Sequence, residues 1–277
     1  MTYPLAKPSL PSTDSKFKTL QLTDSEINQF IEKGFVVVRQ IFPGDLKKDV
    51  LSSVWAELGK YPENLASSDP SFIILKKVLY SETIAQIFTR RYIEVLNELC
   101  GKERWEYDNG VGYFFINYPA FTKSSWFPVQ DGWHIDSNTE VHSLNSIKLG
   151  LLTFHLFTDI SPGGGGTAVR LGSHKYSARI LAEAGPQGIQ EMDFSRQAVN
   201  ATKGLPFIEI TGQCGDVMFM HPLMVHTRSL NISNQVRIVG HKFFHLIEPM
   251  NLNRQNGIKY SPVEMSIIKA LSGTNKK

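Results

Sequence analysis

The sequence predicts a mainly β protein with flanking α-helices, built on a double-stranded β-helix (jelly-roll, cupin-like) core. Three observations carry that prediction. Amphipathic helical stretches lie ahead of Arg104, and from Arg104 onward short strand-like runs separated by turn residues take over. The length of 277 residues fits one large β-rich domain with an ample core, and no internal repeat interrupts it.

Residues 1–20 are rich in Pro, Ser, Thr and Lys and read as a flexible N-terminal arm. A single domain is expected over 21–277, with a helical buttress at about 21–103, the jelly-roll core at about 104–248 and a C-terminal extension at 249–277. Thr23-Asp24-Ser25-Glu26 is a capping box. Ile27, Phe30 and Ile31 follow at helical spacing, and Gly34 stops the helix before the strand Phe35-Val36-Val37-Val38. Leu46, Val50, Leu51, Val54 and Leu58 mark a second helix. A third is expected from about Ser81 to Gly101, with Ile84, Ile87, Phe88 and Leu96 inward. Strands are expected at Val111–Tyr118, Ile147–Phe157, Gly166–Leu171, Phe207–Ile210, Asp216–Met220 and Val236–Leu246. The stretch from about 175 to 205 is a candidate insertion or lid.

Composition narrows the function. Hydrophobic residues make up 42% and charged residues 20%, ordinary values for a globular protein. A net charge of +3, with no basic stripe interleaved with aromatics, gives no ground for a nucleic-acid partner. Cys100 and Cys214 are the only cysteines and lack C-x-x-C spacing, so both read as small core residues. No charged start leads into an apolar run, and no stretch approaches about eighteen apolar residues, so neither a secretory signal nor a membrane span is expected. A cytoplasmic setting is the default expectation, and the oligomeric state is unread.

The chemistry gathers at His134, Asp136, His226 and Arg237. Residues at i and i+2 share one face of a strand, so His134 and Asp136 point into one pocket while Ile135 packs behind. Two imidazoles and one carboxylate on one metal leave positions open, which suits a non-haem Fe(II) centre that binds both a cosubstrate and dioxygen. His226 is preferred over the competitor His221 by its spacing, eleven residues ahead of Arg237. Arg237, Val239, His241, Phe243 and His245 share one face of the last long strand. A buried guanidinium among apolar neighbours needs an anion, either an acidic cosubstrate or an acidic residue of the chain in a structural pair. His241 and His245 are expected to lie outside the metal site. The run Gly163 to Gly166 lacks the Lys-Ser/Thr pair of a phosphate loop and reads as a tight turn.

Four blocks then resemble one family. "LTDSEINQFIEKGFVVV", "GWHIDSN", "SPGGGGTAVRLGSHK" and "GDVMFMHPLMVHTRSLNISNQVRIVG", in this order, resemble the phytanoyl-CoA dioxygenase-like family of Fe(II)- and 2-oxoglutarate-dependent oxygenases, with coverage from about residue 21 to 248. The resemblance implies that His134, Asp136 and His226 bind iron and that Arg237 binds the distal carboxylate of 2-oxoglutarate. It also places Thr167 and Asn117 beside the cosubstrate, although Asn117, in "INYP", stands where many relatives carry a basic residue. The expected reaction consumes O2 and 2-oxoglutarate, releases succinate and CO2, and oxidises an unactivated C–H bond of a small molecule, by hydroxylation or by a desaturation or ring-forming variant. Retention of Asp136 argues against halogenation. Residues 119–130, with Phe121, Lys123, Trp126, Phe127 and Gln130, are expected to rim the pocket. Two other classes fit the residues: a cupin enzyme using its metal as a Lewis acid, and a non-catalytic barrel that binds a small acid.

Overall fold

In the computed structural model, which describes residues 21–59, 71–120, 125–136, 140–254 and 259–272, helix α1 (Asp24–Lys33) starts at the capping box. The Thr23 hydroxyl accepts from the Glu26 amide, and the Glu26 carboxylate accepts from the Thr23 amide at 2.8 Å. Gly34 ends the helix with φ 90°, where a Cβ would also strike Met224 and His174. Strand β1 (Phe35–Val38) and helix α2 (Lys47–Leu58) follow, then an unanticipated strand β2 (Phe72–Leu75).

The single helix expected over Ser81–Gly101 is two, α3 (Glu82–Ala85) and α4 (Arg90–Cys100). Thr89 is the reason. Its hydroxyl donates to the Ile41 carbonyl at 2.8 Å and accepts from the Tyr92 amide, so it caps a new helix instead of continuing the old one. Next come β3 (Gly112–Asn117), β4 (Val141–His142), β5 (Leu151–Leu156), β6 (Ala168–Arg170) and α5 (Ser173–Ala184). The chain continues through β7 (Ile189–Gln190), α6 (Glu191–Ala201), β8 (Phe207–Glu209), β9 (Val217–Met220), β10 (His226–Thr227), β11 (Arg237–Phe244) and α7 (Pro262–Ser272).

Six antiparallel strands form the large sheet in the order β1-β9-β5-β11-β3-β2. A smaller sheet, β10-β6-β8, faces it, and this pair of sheets is the jelly-roll core. Strand alternation builds two apolar layers. Val36, Phe114, Ile116, Phe219 and Ile238 face the helices, where Phe30, Val54, Val95 and Leu99 cover them. Phe35, Leu152, Phe154, Met218 and Val239 point the other way and pack on Val169 and Ile210 of the small sheet. Each such side chain contributes about 1.5–3 kcal/mol of burial.

The 175–205 stretch folds as α5, β7 and α6, with Leu181, Phe194 and Ala198 buried, so it is part of the packed shell. The extension after 249 carries α7, held by Glu264. That buried carboxylate accepts from the Ser261 amide at 2.9 Å and pairs with Arg104 at 2.7 Å and with Arg254. No helix among the described residues is long and apolar enough to cross a membrane. The expected N-terminal arm (1–20), and Phe121 and Lys123 of the expected rim, lie outside the described residues.

Candidate metal centre

Between the two sheets a cavity of about 720 Å³ opens; Phe72, Ile74, Tyr113, Phe115, Phe154 and Arg237 line it from the large sheet, and His134, Asp136, Thr167, His226 and Arg228 complete its lining. The volume is within the ~300–1,000 Å³ of small-molecule sites. His134 is reached through one backbone bridge: its amide donates to the His226 carbonyl and the His226 amide donates back, both at 3.0 Å. The expected strand face is therefore only a bridge here, because a 3-10 turn at Gln130–Gly132 runs directly into it. That bridge still brings the two imidazoles together, with ring centroids 4.4 Å apart.

Each imidazole is oriented in the same way. Nδ1 of His134 donates to the Gly132 carbonyl at 2.6 Å, and Nδ1 of His226 donates to the Met224 carbonyl at 3.1 Å. A carbonyl can only accept, so in the neutral rings both protons sit on Nδ1 and both Nε2 lone pairs face inward. Asp136 meets them, with Oδ1 3.2 Å from His134 Nε2 and Oδ2 3.1 Å from His226 Nε2. Donor atoms of these three residues all lie within 4.8 Å of one another, as a shared ion requires.

Burial pushes the Asp136 carboxyl up, but attraction to the His226 and His241 imidazoles and the short contacts with His134 and His226, which act only while those rings carry a proton on Nε2, outweigh this and hold it well below the usual carboxylate range. Burial dominates at His226 and lowers it, keeping a neutral nitrogen donor. At His134 burial acts downward, yet the contacts with Asp136 and the Gly132 carbonyl leave it raised.

Arg237 begins β11 and is 4% exposed. One Nη donates to the Thr167 hydroxyl at 2.9 Å, whereas Nε is buried with no hydrogen-bond partner. Burial lowers its pKa to about 10, against an opposing pull from Glu209. No carboxylate among the described residues pairs with it directly. Glu209 is engaged elsewhere, accepting from the amides of Gly163 and Gly166 at 2.7 and 2.8 Å. The glycine run is thus a turn wrapped on a carboxylate, and a Cβ on Gly166 would lie 2.1 Å from the Ile210 carbonyl oxygen.

Not every expected residue reaches the cavity. The Asn117 side chain is buried and donates to the carbonyls of Gly165 and Ser229, at 3.2 and 2.9 Å, beside the cavity rather than in it. His221 sits behind α1, its ring 4.9 Å from His174, and accepts from the Leu223 amide. Trp126 packs near Phe207, with centroids 6.2 Å apart, and does not line the cavity. His245 lies past the end of β11.

His241, expected outside the site, places Nε2 3.2 Å from Asp136 Oδ2. Its signal was present in the period-two face it shares with Arg237. Sequence reasoning also missed the wall of Phe72 and Ile74, because β2 was not anticipated, and Tyr113, which a bulge turns into the cavity.

No family model matches the chain, and no curated protein matches it in sequence. Solved structures do match in fold. The epimerase SnoN, in complex with Fe3+, alpha ketoglutarate and nogalamycin RO, aligns with a TM-score of 0.52 at 14% identity, covering 80% of this chain and 82% of that one. EctD from S. alaskensis, with 2-oxoglutarate and 5-hydroxyectoine, aligns with a TM-score of 0.51 at 17% identity over 87% and 82%. The non-heme alpha ketoglutarate dependent carbocyclase SnoK from nogalamycin biosynthesis aligns with a TM-score of 0.50 at 15% identity over 81% and 84%. The chain has the fold on which these proteins are built.

Proposed function

We propose that this protein is a non-haem Fe(II)- and 2-oxoglutarate-dependent dioxygenase of the phytanoyl-CoA dioxygenase-like kind, hydroxylating a small organic molecule. The observation that carries the reading is the pairing of two unlike features in one cavity. One is a three-residue donor set whose imidazoles are already turned Nε2-inward. The other is a buried guanidinium with an unpartnered nitrogen and no carboxylate among the described residues in contact, which fits the far carboxylate of a dicarboxylic acid.

His134, Asp136 and His226 would hold Fe(II), and Arg237 with Thr167 would hold 2-oxoglutarate. When bound, and with O2 as the oxidant, the pair would supply oxidative decarboxylation, one oxygen atom of O2 going to succinate as CO2 leaves and the other oxidising an unactivated C–H bond. The chain's own work is orientation. The Gly132 and Met224 carbonyls fix the imidazoles, and Thr167 accepts from Arg237 and so steadies its planar fork. Phe154 closes one side of the donor set, its ring 5.8 Å from His226 and edge-on, which excludes water from that flank. Phe72, Ile74, Phe115 and Tyr113 make an apolar wall for the substrate, with Arg228 over the Phe72 ring at 4.9 Å.

Air-exposed protein reconstituted with Fe(II) is expected to release succinate from 2-oxoglutarate, slowly alone and faster with a true substrate. A protein that forms no succinate with any of a broad panel of small molecules would refute the reading.

A further inference from the structure

We propose that the substrate is an apolar organic acid, its carboxylate held by Arg228 and its apolar body laid along β2. The inference rests on the oxygenase reading above and names the class of substrate that the same cavity takes.

Strand alternation builds the apolar strip. In the large sheet Phe72 pairs with Asn117 and Ile74 with Phe115, and Asn117 and Phe115 pair in turn with Arg237 and Val239, so these side chains share one face. Phe72, Ile74 and Phe115 meet the cavity on that face, and Lys76 continues the alternation just past the end of β2. At ~3.4 Å per residue the strip from Phe72 to Lys76 is ~13 Å long. Ile74 and Tyr113 are each 42% exposed although both are large and apolar, and Tyr113 is held there at the cost of a left-handed φ of 45°. Apolar surface left open inside a cavity is surface for a ligand.

The charges of the cavity select the end group. Histidines aside, its lining among the described residues has three cations, Lys76, Arg228 and Arg237, and one carboxylate, Asp136. Arg237 and Asp136 serve the cosubstrate and the metal and offset one another, and the two carboxylates of 2-oxoglutarate offset the charge of Fe(II). Lys76 and Arg228 are left over, so the seat beside the apolar strip is positive and repels an amine. Neither has an acidic partner among the described residues, whereas Lys77, on the opposite face by alternation, pairs with Glu57 at 2.6 Å.

Arg228 is the better placed of the two. It follows β10, two residues after His226, and lines the same cavity, with its guanidinium carbon 4.9 Å from the centre of the Phe72 ring. A guanidinium lying over a ring is held by that face and keeps N–H groups at its edge, the fork that grips a carboxylate with two parallel bonds. Arg228 thus joins the charged end of the site to the apolar strip that starts at Phe72.

The test uses wild type, Arg228→Gln and Arg228→Glu, each checked for folding by thermal melting. The protein is loaded with Mn(II) and saturating 2-oxoglutarate under argon and titrated calorimetrically with 4-phenylbutanoate and octanoate, and with the matched primary amides and amines. Both acids are expected to bind wild type roughly tenfold tighter than their amides. In Arg228→Gln that preference should shrink to within about threefold while the Kd for 2-oxoglutarate moves less than about threefold, and Arg228→Glu should prefer the amines. The inference is overturned if neither acid binds wild type, if the acids bind no tighter than the amides, or if Arg228→Gln keeps the full preference. It is also overturned if raising 2-oxoglutarate displaces the acids, which would put them on Arg237. Wild type that takes up no 2-oxoglutarate with Mn(II) would overturn the oxygenase reading alone. The acid-over-amide preference, measured on metal-free protein, would then still decide the anion seat: its loss in Arg228→Gln supports that seat and its persistence overturns it.

Discussion

Arg237→Met separates a cosubstrate anchor from a structural cation because it should stabilise the fold while weakening 2-oxoglutarate binding. The Arg237 pKa is lowered from 12.5 to about 10, chiefly by burial. At ~1.4 kcal/mol per unit, a drop of that size costs the folded state about 3 kcal/mol wherever the group is charged when unfolded. The cost is complete at neutral pH and fades only as pH rises beyond about 10. Methionine is apolar and similar in length, so it removes this cost. It also forfeits the bond to Thr167, worth about 1 kcal/mol. The net gain is roughly 2 kcal/mol, or a rise of ~4–8 °C in Tm for a domain of this size class. The same change removes the partner of the acid's far carboxylate, costing about 2 kcal/mol or more, so the Kd for 2-oxoglutarate should rise roughly 30-fold or beyond. Thermal melts with and without 2-oxoglutarate, in the presence of Mn(II), read both effects. A variant that melts below wild type and still gains wild-type stabilisation from 2-oxoglutarate would show that Arg237 serves the fold and not the cosubstrate.

Three further outcomes follow from the site and its surroundings. His226→Ala should abolish Fe(II) binding measured by chelator competition, while His221→Ala should retain it and lose about 1–3 kcal/mol of stability; the reverse pattern would make His221 the metal ligand. Asn117→Ala leaves the Gly165 and Ser229 carbonyls without their donor, so Tm should fall by the equivalent of about 1–3 kcal/mol while 2-oxoglutarate affinity, measured well below Tm, changes less than about tenfold. An unchanged Tm with lost affinity would instead put Asn117 on the cosubstrate. Burial lowers His174 from 6.5 to about 4 and His155 to about 3. The unfolded chain takes up those protons first, so stability present above pH 6.5 should be lost as pH falls toward 4, by about 2–3 kcal/mol per histidine, in urea titrations. A flat profile over that range would contradict the burial of both.

Local signals in the sequence were read well where one residue type has one physical use. Thr23, Glu26 and Gly34 set both ends of α1, and alternating apolar runs marked most strands of the large sheet. The i, i+2 spacing of His134 and Asp136 pointed to a common site, and the backbone bridge to His226 shows how the third residue arrives. What escaped depends on contacts distant in sequence. Thr89 breaks a continuous helical pattern because it bonds to Ile41, 48 residues away. Strand β2 was missed because four apolar residues, Phe72 to Leu75, carry no periodicity that separates strand from helix. α7 was missed because the buried Glu264 that anchors it looks like a surface residue until Arg104 and Arg254 are brought to it. His241 shared the right face in sequence, but only the bulge at Tyr113 explains why it meets Asp136.

The most direct measurement of the central claim is the visible spectrum of anaerobic protein with Fe(II) as 2-oxoglutarate is added. A weak metal-to-keto-acid charge-transfer absorption is expected in wild type, absent in His226→Ala and requiring much higher 2-oxoglutarate in Arg237→Met. Wild-type protein that binds Fe(II) yet develops no such absorption at saturating 2-oxoglutarate would contradict it.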